Sequence, residues 1–452
     1  MSGGPFAGRR LHFIGIGGAG MSGLALVART LGARVSGSDD ADTPYLPRLR
    51  AEGIEPVIGY RADNVPGDAV IVVSTAISQD NPELAAARAA GAGVLHRGEL
   101  LAEVSAIKRS IAVAGTHGKT TTCAMLAHAL LACGREAAYL IGGRLRSTGV
   151  NAAWGAGEWV VVEADESDRS FLRLQPDVAV VTNVELDHHA SYHSLSELEE
   201  AFGQFACAAG VRILGEGVRL PGNGVAVSFG IGVGDLRAEA LELRPLGSRV
   251  EVQGVAVELN VPGEHNVLNA LAALAACRVA GVELRDAAPA LAGFAGTGRR
   301  FEERGHTRSG ARIFDDYAHH PTEVRATLEA ARTLGARRIV ACFQPHLFSR
   351  TRELARAFGR ALALADLVVV LDVYPSRERA EDFPGVSGLM VATAAADEAA
   401  GRSVWWLPSI GEAEQMLRDK LREGDVLLTL GAGDVDRLAG MLATAAPTGP
   451  SP

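Results

Sequence analysis

Residues 112–122, AVAGTHGKTTT, are the stretch on which the architecture of this chain turns. Ile111 to Ala114 are apolar and short enough for a buried strand, and a glycine-bounded polar turn, Gly115-Thr116-His117-Gly118, follows at once. From Lys119 the pattern predicts a helix through Met125 and Leu126 to about Leu131. A strand, a glycine turn and a helix opening on Lys-Thr make an anion cradle. The turn amides and the helix N-terminus face a phosphate, and the lysine reaches its outer oxygens. Thr120 stands where a hydroxyl meets the magnesium that accompanies a nucleoside triphosphate. The usual spacing, G-x-x-x-x-G-K-[ST], would put glycine at 113, where valine stands, so the predicted loop is tighter than the common form.

Upstream, Leu11 to Ile14 predict a short strand, followed by Gly15-Ile16-Gly17-Gly18-Ala19-Gly20 and a helix from Met21 to about Leu31. G-x-G-x-x-G in a strand-turn-helix context places a diphosphate at the helix N-terminus. A nicotinamide dinucleotide and a UDP-sugar satisfy that geometry equally. A second strand, Arg34 to Gly37, ends in Ser38-Asp39-Asp40, where either a ribose-binding acid or a solvated turn residue would sit. Apolar runs at Val70 to Ser74 and Gly93 to Leu95 continue the β-α alternation of a Rossmann-like unit over residues 1–105.

Downstream, the strand Trp159 to Val162 ends in Glu163-Ala164-Asp165-Glu166-Ser167-Asp168, and Val178 to Val181 ends in Thr182-Asn183-Val184-Glu185-Leu186-Asp187-His188-His189. Carboxylates beyond strand C-termini lie at the crevice where open α/β sheets bind ligands, and there they hold magnesium against phosphate. Three strands thus deliver Lys-Thr, a carboxylate cluster and an Asp-His cluster to one sheet edge. Short β-like segments fill 210–262. A helix follows with Asn266 and Asn269 on one face, placed to read an adenine edge or simply to decorate the helix. This central P-loop-type ATPase unit spans 106–297.

A new alternation begins at Ala311 to Phe314 and predicts a doubly wound, Rossmann-like C-terminal unit over 298–452. Its strand ends carry Asp315-Asp316-Tyr317-Ala318-His319-His320 and Gln344-Pro345-His346; His306 and His320 read as packed or surface residues. Gly431-Ala432-Gly433-Asp434 fits a plain loop or a phosphate-side turn, and the tail from Ala445 reads as disordered. The expected fold class is therefore α/β with three domains.

Composition limits the function. A net charge of −9 argues against a general nucleic-acid or membrane-surface binder, which needs a basic footprint. No apolar run approaches the eighteen or so residues of a membrane span. MSGGPFAGRR lacks the apolar core of a signal peptide, and five scattered cysteines show no metal spacing, so a reducing cytoplasm is expected. A monomer or weak homodimer is the expected assembly.

In chain order, HFIGIGGAGMSGLA, AGTHGKTTT, EADESD, TNVELDHHASY, PGEHNVLNALAA, GRRFE, DDYAHHPTEV, QPHLFSRT and GAGD resemble the motif series of the Mur ligases. The resemblance spans nearly the whole chain. It implies an ATP-dependent carboxylate–amine ligase of peptidoglycan synthesis, and the GIGGAGMSG form points to the branch that joins L-alanine to UDP-N-acetylmuramate. It also implies ATP with Mg2+, two ions, as cofactors. Residue by residue, the resemblance gives Gly115, Thr116, His117, Gly118, Lys119, Thr120 and Thr121 to the ATP phosphates and Asn266 and Asn269 to adenine. Arg300 reaches the phosphates from the interdomain link, with Asp316 as its C-terminal partner. Thr120, Glu163 and His188 are the implied metal ligands, Glu163 being preferred to Glu166 as nearer the strand end. Lys119, His188, Arg300 and Asp316 are the implied catalytic residues. The UDP-sugar falls to Gly15, Gly17, Gly18, Gly20, Met21, Ser22, Ser38 and Asp39, and the amino acid to Tyr317, His319, His346 and Arg350. Leu347 stands where some relatives have arginine and receives no role. Several family members bridge their metals with a carbamylated lysine, but no lysine lies between Lys119 and Lys420 here, which excludes that device.

Overall fold

The computed structural model describes residues 3–188 and 191–444; the expected disordered tail from Ala445 lies outside them. Three sheets follow one another along the chain. The first is wholly parallel. Arg10–Ile14 is its central strand, flanked by Arg34–Asp39 and then Val57–Ile58 on one side and by Val70–Val73 and Val94–His96 on the other. Burial on both faces explains why its strands read as short apolar runs. The helix Ala19–Thr30 follows the glycine turn.

In the second sheet, ten strands wide, Arg109–Ala114 lies between Trp159–Glu163 and Val178–Val181, all parallel. Ala138–Leu140 pairs beyond Trp159–Glu163, and Val211–Gly215 beyond Val178–Val181. The strand order departs in both directions from Arg109–Ala114, which creates a crevice at its C-terminal end. Register fixes the rest. Val113 pairs with Glu163 and with Val180, so all three polar clusters emerge side by side. The helices Lys119–Ala132 and Glu264–Val279 pack together over this sheet in one buried cluster. A β extension from Val225–Ile231 to Val255–Leu259 continues its far edge.

The third sheet orders Glu302–His306, Arg312–Asp316, Asp425–Leu430, Arg338–Phe343, Leu367–Val370 and Ser403–Trp406. Only Glu302–His306 runs antiparallel. Arg312–Asp316 and Arg338–Phe343 both pair with Asp425–Leu430, so Asp316, Gln344 and Gly431 begin neighbouring loops. Arg299 ties this end together: its guanidinium donates to the carbonyls of Gly431 and Gly433 and meets Asp315 at 3.0 Å. The GAGD turn is thereby a structural anchor for the interdomain link.

Candidate active site

The phosphate loop is shaped by what surrounds it. Gly118 has φ 81°, and a Cβ there would lie 2.3 Å from Asn269 Oδ1, so only glycine lets the helix Glu264–Val279 approach. Val113, where the longer loop would need glycine, is buried in the strand below. Lys119 Nζ donates to the carbonyls of Gly115 and Thr116 at 2.6 and 3.1 Å and to Glu166 Oε1 at 2.9 Å. Burial alone would lower its pKa, but Glu166 and Asp165 outweigh that and raise it, so the ammonium is fixed as a cation.

Thr120 Oγ1 donates to Glu163 Oε1 at 3.0 Å, and the Gly142 amide donates to Glu163 Oε2 at 2.7 Å. A Cβ at 142 would meet that carboxylate at 2.8 Å. His188, at φ 54°, brings Nε2 to 3.3 Å from Glu166 Oε1. Glu166 Oε2 is buried 2.9 Å from Lys119 Nζ, and His188 Nδ1 is buried with no hydrogen-bond partner. Positive φ at a bulky residue costs on the order of 1–3 kcal/mol and persists where its surroundings impose it. Glu163 therefore belongs with Thr120, and Glu166 with Lys119 and His188.

Two clefts meet this edge. One, of about 190 Å3, is lined by Ala19, Gly20 and Arg97 from the first unit and by Gly142, Glu163 and Asp165 from the second. Within the first unit, Asp39 is buried rather than solvated and accepts the Gly17 amide at 2.7 Å. Ser38 donates to Glu83 at 2.6 Å, a buried carboxylate. Met21 and Ser22 are buried, and neither lines this cleft. Ser22 accepts from Asn151, which docks the helix on the central unit.

The other cleft, of about 300 Å3, is walled by Thr121, Phe229, Asn269, Arg300 and Asp316 among others. Asn269 Nδ2 donates to Asn266 Oδ1 at 3.2 Å, and Asn266 Nδ2 to the Pro262 carbonyl at 2.7 Å. Arg300 does not pair with Asp316 as expected. Its guanidinium stands over the Tyr317 ring, 3.9 Å from Glu323, whereas both Asp316 oxygens accept backbone amides, of Phe301 at 2.7 Å and Ala318 at 2.8 Å. Burial outweighs Arg300 and those amides and pushes the Asp316 pKa up to about 6.

The four amino-acid candidates cluster. The His319 ring lies 5.3 Å from Tyr317 and 6.0 Å from His346, and Arg350 Nη1 is 3.2 Å from His346 Nδ1. Arg350 is already engaged: Nε and Nη2 grip Asp187 at 2.9 and 3.0 Å across the two units. Leu347 begins the helix Phe348–Leu362 at φ 69°, buried.

Sequence reasoning missed Glu323. It meets His117 Nδ1 at 3.3 Å and His319 Nδ1 at 3.3 Å, besides Arg300. Its position four residues after His319, in the first helical turn of Pro321–Arg332, was the available signal. His117 also meets Glu185 at 3.0 Å. Burial alone would lower the His117 pKa; the hydrogen bonds to Glu185 and Glu323 outweigh it and raise it to about 9. The folded state thus binds a proton more tightly than the unfolded chain, whose histidine titrates near 6.5. The resulting stability is fully present below about pH 6.5 and is lost as pH rises through about 9. Urea unfolding across that window should show a decline that His117→Gln flattens; parallel profiles would refute the assignment.

Comparison with known proteins places this geometry. Residues 10–109 match the Mur ligase family catalytic domain, 113–277 the Mur ligase middle domain, and 299–433 the Mur ligase glutamate ligase domain. The UDP-N-acetylmuramate–L-alanine ligase of Renibacterium salmoninarum is 46% identical, over 94% of this chain and 93% of that one. The chain belongs to the Mur ligase family. A second such ligase, from Rubrobacter xylanophilus, is 44% identical over 95% of this Mur ligase and 98% of that protein. Among solved structures, the UDP-N-acetylmuramate-alanine ligase of Thermotoga maritima superposes with TM-score 0.83 at 31% identity, covering 96% and 98% of the two chains. A murein peptide ligase from Psychrobacter arcticus gives 0.71 at 26% identity, over 97% and 100%. The α/β architecture in three units is thus that of the Mur ligases, a family that uses ATP.

Proposed function

We propose that this Mur ligase joins L-alanine to UDP-N-acetylmuramate, converting ATP to ADP and phosphate. The observation that carries the reading is the near full-length likeness to ligases named for that reaction, in a chain whose Lys119, Glu166 and His188 meet at one sheet edge beside Thr120 and Glu163. The lactyl carboxylate attacks the γ-phosphorus and ADP leaves, giving an acyl phosphate. The alanine amine then attacks the acyl carbon, loses a proton and expels phosphate. Residues 1–105 hold the UDP-sugar, 106–297 the ATP, and 298–452 close over ATP and bring the amino acid.

The smaller cleft leads the muramyl carboxylate from the Gly20 helix end towards Glu163, beside the phosphate loop. Lys119 turns from Glu166 to the β- and γ-phosphates, the loop amides cradle them, and Arg300 approaches from the opposite wall. Asn266 and Asn269 take the adenine side, with Phe229 as an apolar wall. Tyr317, His319, His346 and the Nη1 face of Arg350 form the alanine site.

The donors suit magnesium. A hydroxyl and a carboxylate, Thr120 and Glu163, would hold one ion; His188 with Glu166, once Lys119 has turned to phosphate, would hold a second. Bound there, Mg2+ neutralises phosphate charge. No described helix is long and apolar enough to cross a membrane, and all five cysteines are free, which supports a cytoplasmic site of action.

Phosphate release with UDP-N-acetylmuramate and ATP tests the reading, with L-alanine, glycine, L-serine and a muropeptide compared as amine. L-Alanine should give the fastest release; stimulation by the muropeptide alone would overturn the assignment. Within this scheme Asp316→Ala strands the buried Ala318 amide, worth about 1–3 kcal/mol, and the part-buried amide of Phe301. Expected is a ten- to hundredfold loss in kcat/KM for ATP, estimated at roughly 1.4 kcal/mol per decade, with UDP-sugar affinity nearly unchanged. Equal losses in both would indicate general misfolding.

A further inference from the structure

Outside the reacting centre, a second group of metal-ligating side chains lies at the outer wall of the larger cleft. One ring nitrogen of His117, one of His320 and a carboxylate oxygen of Glu185 all fall within 4.8 Å of one another. His117 and Glu185 come from the central unit, whereas His320 caps the C-terminal helix Pro321–Arg332. The two imidazole rings lie 4.6 Å apart, tilted by 38°. His320 is 3% exposed; its Nδ1, 4.0 Å from Glu185 Oε2, accepts the Thr322 amide at 3.3 Å, and its Nε2 has no hydrogen-bond partner. Leaving such a group unsatisfied costs on the order of 1–3 kcal/mol, so it marks a place where a partner is wanted.

The surroundings match a metal centre. Glu323 faces Nδ1 of His117 at 3.3 Å and so orients Nε2 towards Glu185, 3.0 Å away. A carboxylate on the remote nitrogen of a histidine is the usual support for a metal-bound imidazole. Thr322 Oγ1 lies 2.8 and 2.7 Å from the two Glu185 oxygens, shares its one proton with them, and holds that carboxylate in place. Ligand atoms around tetrahedral zinc stand roughly 3.3 Å apart, given bonds of about 2.0–2.2 Å. The His117–Glu185 pair, 3.0 Å apart, is close to that spacing, and the His320 ring turns to bring the free Nε2, rather than the capping Nδ1, to the ion. Two imidazoles and one carboxylate suit a borderline ion, whereas magnesium prefers an all-oxygen shell.

We propose that His117, Glu185 and His320 form a Zn2+ site that clasps the phosphate loop to the C-terminal unit. Binding replaces the Nε2 proton of His117, which leaves to solvent; Glu185 exchanges that hydrogen bond for the metal. The clasp crosses the wall of the cleft through which nucleotide enters and leaves. Occupancy therefore slows turnover, at a place separate from Thr120, Glu163 and His188.

The test uses the full chain freed of metal by chelation, then supplied with excess Mg2+ to cover sites for hard ions. Calorimetry with Zn2+ and absorption spectroscopy with Co2+ are run on wild type, His320→Asn and Glu185→Gln. Asparagine keeps the helix cap at 320 but lacks the ring nitrogen, so a folded variant is expected. One tight Zn2+ per wild-type chain is predicted, weakened at least tenfold in both variants, with the tetrahedral Co2+ spectrum lost in His320→Asn. Zn2+ should inhibit wild-type turnover at concentrations at least tenfold lower than those needed for His320→Asn. Absence of tight binding to wild type, or equal affinity and equal inhibition in His320→Asn, overturns the proposal. The binding and spectral readings need no substrate, so they stand or fall apart from the ligase assignment.

Discussion

Lys119→Ala is expected to lower turnover at least about a hundredfold, with the UDP-sugar still bound. Lys119 is the only lysine between Lys108 and Lys420, so no neighbouring ammonium substitutes for it. In the structure it is held by two loop carbonyls and Glu166, a position from which a small rotation carries it to an incoming phosphate. Negative charge on the transferred group is spread most in the transition state, so the lost interaction acts mainly on kcat. Removing one donor of this kind costs about 2.7–4 kcal/mol, hence the hundredfold lower bound. The variant also leaves Glu166 without its cation, so Lys119→Ala/Glu166→Gln separates the two effects. If the double variant regained wild-type turnover, Lys119 would be a mere counter-ion. Pre-steady-state phosphate release measures the step directly, and near-wild-type release in Lys119→Ala would sink the phosphate-loop assignment.

Arg350→Ala is expected to be nearly as damaging, by a different route. Arg350 and Asp187 are each 3% exposed at the side chain and meet through two hydrogen bonds. The guanidinium beside it holds the Asp187 carboxyl well below its usual range, despite burial acting in the other direction. Deleting one partner of a buried pair costs about 3–5 kcal/mol, because the remaining charge is left dry. Here the pair joins two units, so parting them rehydrates Asp187. The cost should therefore appear as reduced closure rather than as global unfolding. Expected is a hundredfold or larger loss in kcat/KM for both ATP and L-alanine, unchanged UDP-sugar affinity, and little change in Tm. Asp187→Asn in the same chain removes the stranded charge and should restore ATP use, while L-alanine use stays impaired. Failure of that rescue would mean that the arginine acts only through the amino acid.

The parallel cores were legible because buried parallel strands are unbroken runs of branched residues, as in Trp159–Glu163 and Val178–Val181. Leu236–Arg244, LRAEALELR, is rich in helix formers yet forms a strand, since pairing with Gly247–Val252 overrides local preference. Glu302–His306, EERGH, is an antiparallel edge strand without an apolar face, so no periodicity announced it. The phosphate loop and carboxylate clusters were visible because each lies just past a strand. Their partners were not: Asp187 with Arg350 and Glu185 with Thr322 are 163 and 137 residues apart, and only the folded chain brings them together. The division of labour between Arg299, which anchors the link, and Arg300, which faces the cleft, likewise depends on backbone direction at two adjacent arginines.

The placement of Asp425–Leu430 between Arg312–Asp316 and Arg338–Phe343 governs how the protein comes into being on the ribosome. Until these last residues emerge, the two strands that flank them present open edges with no partner, and Arg299 lacks the carbonyls of Gly431 and Gly433. The first two sheets draw all their strands from residues before 260 and are complete much earlier. The nascent chain should therefore complete the cleft between its first two units well before its third unit can close on them, because units complete in sequence fold in sequence. A chain halted by a stop codon at position 425 would expose two sticky edges at once, a state that invites aggregation and proteolysis.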